Sequence, residues 1–205
     1  MSKEYTSLGL MSGTSMDGVD VSIIQSDGEN KSEVLLDKYF EYSEAIYKDL
    51  TKLREKINIT KDLKIYSKEI NKLEREITLF HAKAVNEVLK NSKINVDIVG
   101  FHGQTIFHNP LEKISKQLGN GELLSQLVNK NVVYNFREND LVNGGDGAPL
   151  TPVYHELLEK KFNIKPVSFI NIGGILNKTT VCSDGELLAK DEGPGMCLID
   201  KWIRI

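Results

Sequence analysis

The sequence has only two cysteines, Cys182 and Cys197, spaced too far apart for a C-x-x-C pair. That excludes a disulfide framework and a zinc knuckle, and points to free thiols in a reducing cytosol. No apolar run comes near the roughly 20 residues needed to cross a bilayer. The opening Met1-Ser2-Lys3-Glu4-Tyr5 lacks the apolar stretch of a signal peptide. Positive charge is not in excess either, with 26 Lys and Arg against 29 Asp and Glu and a net charge of −3. Such a balance gives little support to phosphate neutralisation along a nucleic acid. These absences predict a cytoplasmic protein that binds neither membrane nor nucleic acid. His155-Glu156 has Glu159 where a zinc-protease helix needs its second His.

What is present is ordinary globular material. Hydrophobic residues make up 40% of the 205 and charged residues 27%, with 16 glycines. The length suits one large domain or two small ones at about 150 residues each. Leu8 to Met11 and Val19 to Ile24 read as strands around a glycine-rich turn, and Val34 to Tyr42 as a third. Leu63, Tyr66, Ile70, Leu73, Ile77, Phe80, Ala84 and Val88 then recur at helical steps. They predict one long helix over 62–90. Strands follow at 96–101 and 131–135, and helices at 121–129 and from Pro152 to about Lys161. A strand at 167–171 and a partner at 175–181 flank Gly173-Gly174, and a last helix starts after Gly193-Pro194-Gly195. The order, β-β-β-α-β-α-β-α and then β-β-β-α, predicts an α/β fold with a mixed sheet covered by helices. The second block restarts with a glycine-bearing hairpin, as the first did, and suggests a second lobe.

Four stretches carry chemistry. Gly13-Thr14-Ser15-Met16-Asp17-Gly18-Val19-Asp20 offers backbone amides and hydroxyls to an anion, and Asp17 or Asp20 could hold Mg²⁺. An ordinary Asp-Gly hairpin turn is the other reading. It is not a Walker A loop, because Val19-Asp20 replaces Lys-Ser/Thr. Gly119-Asn120-Gly121 starts a dinucleotide fingerprint that Leu124 ends. His102, Gln104 and Thr105 follow a strand end, where α/β sheets bind ligands, and offer the mixed donors and acceptors that suit a polyhydroxylated molecule. A polar loop with a satisfied His is the alternative. Asn171-Ile172-Gly173-Gly174-Ile175 is a second candidate phosphate hairpin. Asp191, before Gly193-Pro194-Gly195, is expected at a glycine turn and helix start, as a general base or as a helix cap.

Together these stretches resemble the anhydro-N-acetylmuramic acid kinase family. The resemblance starts at Gly9-Leu10-Met11-Ser12-Gly13-Thr14-Ser15-Met16-Asp17-Gly18-Val19-Asp20. It continues in the family's order through Gly103-Gln104-Thr105, Gln117-Leu118-Gly119-Asn120-Gly121, Phe136-Arg137, Gly144-Gly145, Gly147-Ala148-Pro149-Leu150, Asn171 to Ile175 and Asp191 with Gly193-Pro194-Gly195. It implies an actin/hexokinase-like (ribonuclease H-like) ATPase fold with two lobes around an ATP cleft. One lobe would span 1–165, and the start of a second 166–205. It implies ATP and Mg²⁺ as cofactors, an amino-sugar substrate, phosphates held by residues 13–20 with Gly173 and Gly174, a sugar near His102, Gln104 and Thr105, and Asp191 as the base. The process implied is murein recycling.

The chain departs from the family pattern at Asn135, Asp146, Glu192 and Met196. Glu192 places a like charge beside the expected base, an arrangement that raises a carboxyl pKa or repels ATP. The family's second lobe should continue beyond Ile205, so the alternatives are an inactive truncated or split-gene remnant, or an interaction subunit. A homodimer or a complementing second polypeptide both stay open as partners.

Overall fold

The computed structural model describes residues 3–203, which fold as two compact units. The first runs through Gly147 without 27–32, and the second joins Asp27–Ser32 to the chain from Ala148.

The first unit is built on a six-stranded mixed sheet of β1 (Tyr5–Ser12), β2 (Gly18–Ser26), β3 (Ser32–Glu41), β4 (Ile98–Asn109), β5 (Ile114–Leu118) and β6 (Asn131–Tyr134), in which β3-β2-β1-β4-β5 is the main path and β6 pairs with β4. β1 alternates so that Leu8, Leu10 and Ser12 are buried while Gly9 and Met11 are exposed, the period-2 pattern of a half-buried strand. β1 and β2 are antiparallel, whereas β1, β4 and β6 run parallel.

Helices α1 (Glu44–Lys56), α2 (Thr60–Ile65) and α3 (Ser67–Ser92) lie between β3 and β4. The long helix expected over 62–90 is thus two, broken at Tyr66, whose φ of −94° and ψ of 18° leave helical geometry without a glycine or proline. The apolar stripe behaves as expected past the break, with Ile70, Leu73, Ile77, Ala84 and Val88 buried. Fully burying an aliphatic side chain is worth about 1.5–3 kcal/mol, so this face anchors α3 to the core. His81 lies in that face. It is fully buried, with Nδ1 2.8 Å from the Ile77 carbonyl oxygen and its ring edge-on to Phe101 at 5.0 Å. Its Nε2 meets no hydrogen-bond partner among the described residues. Burial lowers its pKa from 6.5 to about 4.

Helices α4 (Gly121–Val128) and α5 (Phe136–Val142) complete the first unit. Helix α1, strand β5 and helix α5 were not expected, and β4 runs on to Asn109 instead of ending before His102. The extension has a physical cause. Residues 98–101 pair with β6, while residues 104–109 pair with β5, so β4 exchanges one neighbour for another along the same edge. The exchange falls at Gly103, whose φ of +73° favours glycine; a Cβ there would lie 2.5 Å from the Leu118 carbonyl oxygen.

The second unit holds helix α6 (Pro152–Phe162), the antiparallel sheet β7 (Val167–Ile172), β8 (Ile175–Val181) and β9 (Leu187–Pro194), and helix α7 (Cys197–Ile203). Pro152 opens α6, where its missing N–H costs nothing. The His155 ring stacks on Phe169 at 4.8 Å. The fold is the mixed α/β arrangement expected.

Candidate functional site

Parallel strands of an α/β sheet present their carboxyl ends to ligands. Three such ends gather the notable residues of the first unit. The loop of residues 13–17 follows β1, His102 to Thr105 lie where β4 leaves its parallel partners, and Asn135 to Arg137 follow β6.

The glycine loop is held from below. The buried Ser12 hydroxyl sits 2.6 Å from Gln104 Oε1, 2.8 Å from the Gly18 carbonyl oxygen and 3.0 Å from the Tyr42 hydroxyl. Gln104 Nε2 donates to the Gly13 carbonyl at 2.9 Å. Gln104 is fully buried, so its amide ties the loop to β4, a tethering role that differs from the substrate contact expected of it. Tyr42 donates its backbone N–H to the Asp17 carbonyl at 2.8 Å, and burial pushes its phenol well up, so it stays a neutral hydroxyl. The turn itself closes through Met16 N–H to the Gly13 carbonyl at 3.2 Å, with Met16 at a φ of +58° and its side chain buried. Thr14 and Ser15 sit at the tip, and among the described residues no acceptor engages either amide. A Cβ on Gly18 would lie 2.4 Å from the Phe40 carbonyl oxygen, so this position is glycine by packing. Val19 is core. The backbone of the loop can therefore face an anion, while Val19 and Met16 anchor it.

Ser15 Oγ donates to Asp17 Oδ1 at 2.6 Å. Burial raises the Asp20 carboxyl above its ordinary value, and repulsion from Asp17 and Asp37 adds to the rise. Asp17, Asp20 and Asp37 do not converge on one point among the described residues, where the cluster of metal-type ligands is Cys182, Asp184 and Glu186, so Asp17 or Asp20 fits Mg²⁺ only as a single carboxylate beside phosphate oxygens.

His102 is half-buried. Its Nδ1 lies 2.7 Å from the Gly103 carbonyl oxygen, and its Nε2 accepts from Arg137 Nε at 2.8 Å. Burial, reinforced by the Arg137 charge, lowers its pKa to about 4, so the ring is neutral at physiological pH. Thr105 Oγ1 accepts from Gln117 Nε2 at 3.2 Å. Arg137 also donates from Nη1 to the Gly147 carbonyl at 2.6 Å. Motif reading quoted Arg137 without giving it a role, and did not reach Ser12 or Tyr42 as partners of Gln104. The bulge-forming Gly103 beside a polar Gln was the available signal.

Gly173, Gly174 and Asp191 belong to the second unit. Gly195 and Cys197 donate backbone N–H groups to the Gly174 carbonyl at 3.0 and 3.3 Å, and Met196 donates to Gly173 at 2.8 Å. The glycine pair thus starts α7 through its carbonyls. Asp191 does not stand at a helix start. It pairs with Asn177 inside β9, exposed, six residues before α7 begins. The strand continues to Pro194 along antiparallel β8, with Glu192 bulged out between the paired Asp191 and Gly193. Glu192 is not an uncompensated charge either. It lies 3.2 Å from Lys190 Nζ and 3.4 Å from Lys178 Nζ, and its carboxyl is lowered by the Lys190 hydrogen bond first.

The sequence profile of the anhydro-N-acetylmuramic acid kinase family matches residues 5–205. The chain belongs to that family. Similar relatives carry the same family name. One from Pelagibacter ubique is 62% identical over all of this chain and 55% of its own length. One from Rhizobium etli is 42% identical over 98% of this chain and 55% of its own, and one from Agrobacterium fabrum 40% identical over 99% and 56%. The chain therefore spans about half the length of the curated anhydro-N-acetylmuramic acid kinases it matches. Among the described residues no helix is long and apolar enough to cross a membrane.

Proposed function

We propose that the chain takes part in phosphoryl transfer from ATP to 1,6-anhydro-N-acetylmuramic acid, with hydrolytic opening of the anhydro bridge to give N-acetylmuramic acid 6-phosphate and ADP. The observation that carries this reading is the glycine loop, pinned at Gly13 by Gln104 and leaving the Thr14 and Ser15 amides open to a phosphate.

In this reading residues 13–20 hold the ATP phosphates, and Gly173 and Gly174 are proposed as a second phosphate hairpin. Asp17 or Asp20 would hold Mg²⁺, which when bound would neutralise charge on the transferring phosphoryl group. His102 and Thr105 lie at the sugar side, and Gln104 fixes the loop. Asp191 takes a proton from water as the water oxygen bonds to the anomeric carbon. The bond from that carbon to the 6-oxygen breaks, the 6-oxygen bonds to the γ-phosphorus, and ADP leaves. Two lobes belong to the same proposal, supported by the separate sheets, with the division after Gly147 instead of after residue 165 because α6 groups with β8 and β9. A cytoplasmic setting is supported by two free cysteines.

The test is ADP release by the purified chain with the anhydro sugar, ATP and Mg²⁺. Sugar-dependent release is expected, and Asp191→Asn is expected to abolish it with an unchanged melting temperature. A second reading, a subunit that works with a partner chain, is favoured by the apolar surface of the second unit, where Ile170, Ile172, Leu198 and Trp202 are each at least 60% exposed. Release only after a complementing polypeptide is added would select it.

A further inference from the structure

Lys178 of β8 and Lys190 of β9 stand directly opposite each other in the second unit. Like charges in that register destabilise a strand pair. A third side chain meets both. Glu192 Oε1 lies 3.4 Å from Lys178 Nζ and Oε2 lies 3.2 Å from Lys190 Nζ, so each carboxylate oxygen takes one ammonium group. A single side chain thus ties the two strands across the repelling pair.

The backbone at Glu192 is irregular as well. Asn177 pairs with Asp191 and Leu176 with Gly193, which leaves Glu192 as the extra residue of a β-bulge. Bulges bend a strand and re-aim the side chains beside them, and the neighbour on one side is Asp191. Position 192 is also one at which the chain departs from the family pattern.

A carboxylate in an ion pair is a weaker base, because its partner favours the charged form. Two lysines border Asp191. Lys190 precedes it in β9, and Lys178 follows Asn177, with which it pairs. Among the described residues, however, Asp191 enters no ion pair. Helix α6 also packs against β9, and its charged groups lie elsewhere. Glu156 pairs with Lys160 at 3.1 Å and Glu159 with Lys165 at 3.3 Å, His155 stacks on Phe169, and Lys161 is exposed.

We infer that Glu192 is a positioning residue, which captures Lys178 and Lys190 at the bulge and so keeps the Asp191 carboxylate unpaired. The inference rests on the reading of Asp191 as the base. Glu192 then acts through Asp191 and touches neither substrate nor nucleotide.

The test follows the lysine ammonium ¹⁵N signals of the full labelled chain in a cycle of Asp191→Asn and Glu192→Gln. With Glu192 present, Asp191→Asn should leave the Lys178 and Lys190 signals in place. In the Glu192→Gln background the same change should shift them, because the freed lysines have turned to Asp191. An equal response in both backgrounds overturns the inference. So does a shift of these signals on Asp191→Asn alone, a comparison that needs no variant at position 192. ADP release with the anhydro sugar, ATP and Mg²⁺, in the presence of a complementing polypeptide where the chain needs one, is the second readout. Glu192→Gln should lower kcat about 2- to 5-fold, the size of an exposed ion pair, and leave the KM for ATP unchanged. Adding Lys178→Met and Lys190→Met should restore kcat, a rescue that a purely structural role for Glu192 does not produce. A loss that these two changes fail to rescue overturns the inference and leaves the kinase reading standing. Release that survives Asp191→Asn, or no release at all, overturns the reading of Asp191 as the base, while the lysine signals still decide whether Glu192 captures them.

Discussion

Acidification from pH 7 to pH 5 should weaken the first unit through the buried His81 and the half-buried His102. His81 and His102 each have a pKa lowered from 6.5 to about 4 by burial. The native state therefore binds fewer protons than the unfolded chain between these values. Their contribution is present above pH 6.5, falls as pH drops through the window to about 4, and is fully lost below it. Two and a half units correspond to about 3 kcal/mol per histidine over the whole window. By pH 5 the loss is about 2 kcal/mol for each, or about 4 kcal/mol together. That is a large part of the roughly 5–15 kcal/mol that holds a domain folded. Urea unfolding followed by far-ultraviolet circular dichroism at pH 7, 6 and 5 measures it. His81→Leu should cost stability at pH 7, because the Ile77 contact and the ring packing on Phe101 go. It should also shrink the pH 7 to pH 5 difference by about 2 kcal/mol. Identical pH dependence in wild type and variant, or an imidazole of His81 that titrates near 6.5 in the folded chain, would refute the reasoning.

Gly18→Ala forces a methyl against the Phe40 carbonyl and the Tyr39 ring, both within 2.6 Å, and should lower stability by about 1–3 kcal/mol in a thermal or urea melt. Gln104→Ala leaves the buried Ser12 hydroxyl and the Gly13 carbonyl short of a partner, and should cost about 1–3 kcal/mol. Amide exchange at residues 13–17 should speed up more than in β2, and equal effects in both would count against a tether. Mg²⁺ affinity should fade on acidification earlier than for an ordinary aspartate pair, because Asp20 takes up its proton at a higher pH. Asp20→Asn should weaken Mg²⁺ binding and flatten that pH dependence, as read by calorimetry.

The strands of the first unit were readable where alternation is local. Leu8, Leu10 and Val19, Val21, Ile23 are core residues at every second position. The α3 face was readable for the same reason, at a period of 3.6 residues. The turn at Tyr66 was not, since no breaker residue marks it. Helix α1 had a signal that went unused. Ser43 caps it, accepting from the Ile46 N–H, and Leu50, Leu53 and Ile57 are buried at helical steps. The length of β4 depends on β5, a partner met only after folding. At the site, the glycine loop was legible by composition. The task of Gln104 was not, because its side chain is defined by Ser12, a residue 92 positions away. Asp191 reads like a helix cap in one dimension, whereas pairing with β8 keeps it in a strand.

The clasp of Ser12, Tyr42 and Gln104 also orders events in time. Gly13 is fixed by a residue that leaves the ribosome 91 positions later. Closing a span of that size costs about 4 kcal/mol of chain entropy at (3/2)RT ln n. The hairpin of β1 and β2 can pair at once from local contacts, but its tip has no reason to hold its final shape until β4 docks beside β1. A nascent chain shorter than about 104 residues thus carries the sequence of the loop without its geometry, and ligand competence arrives as one late step with the sheet.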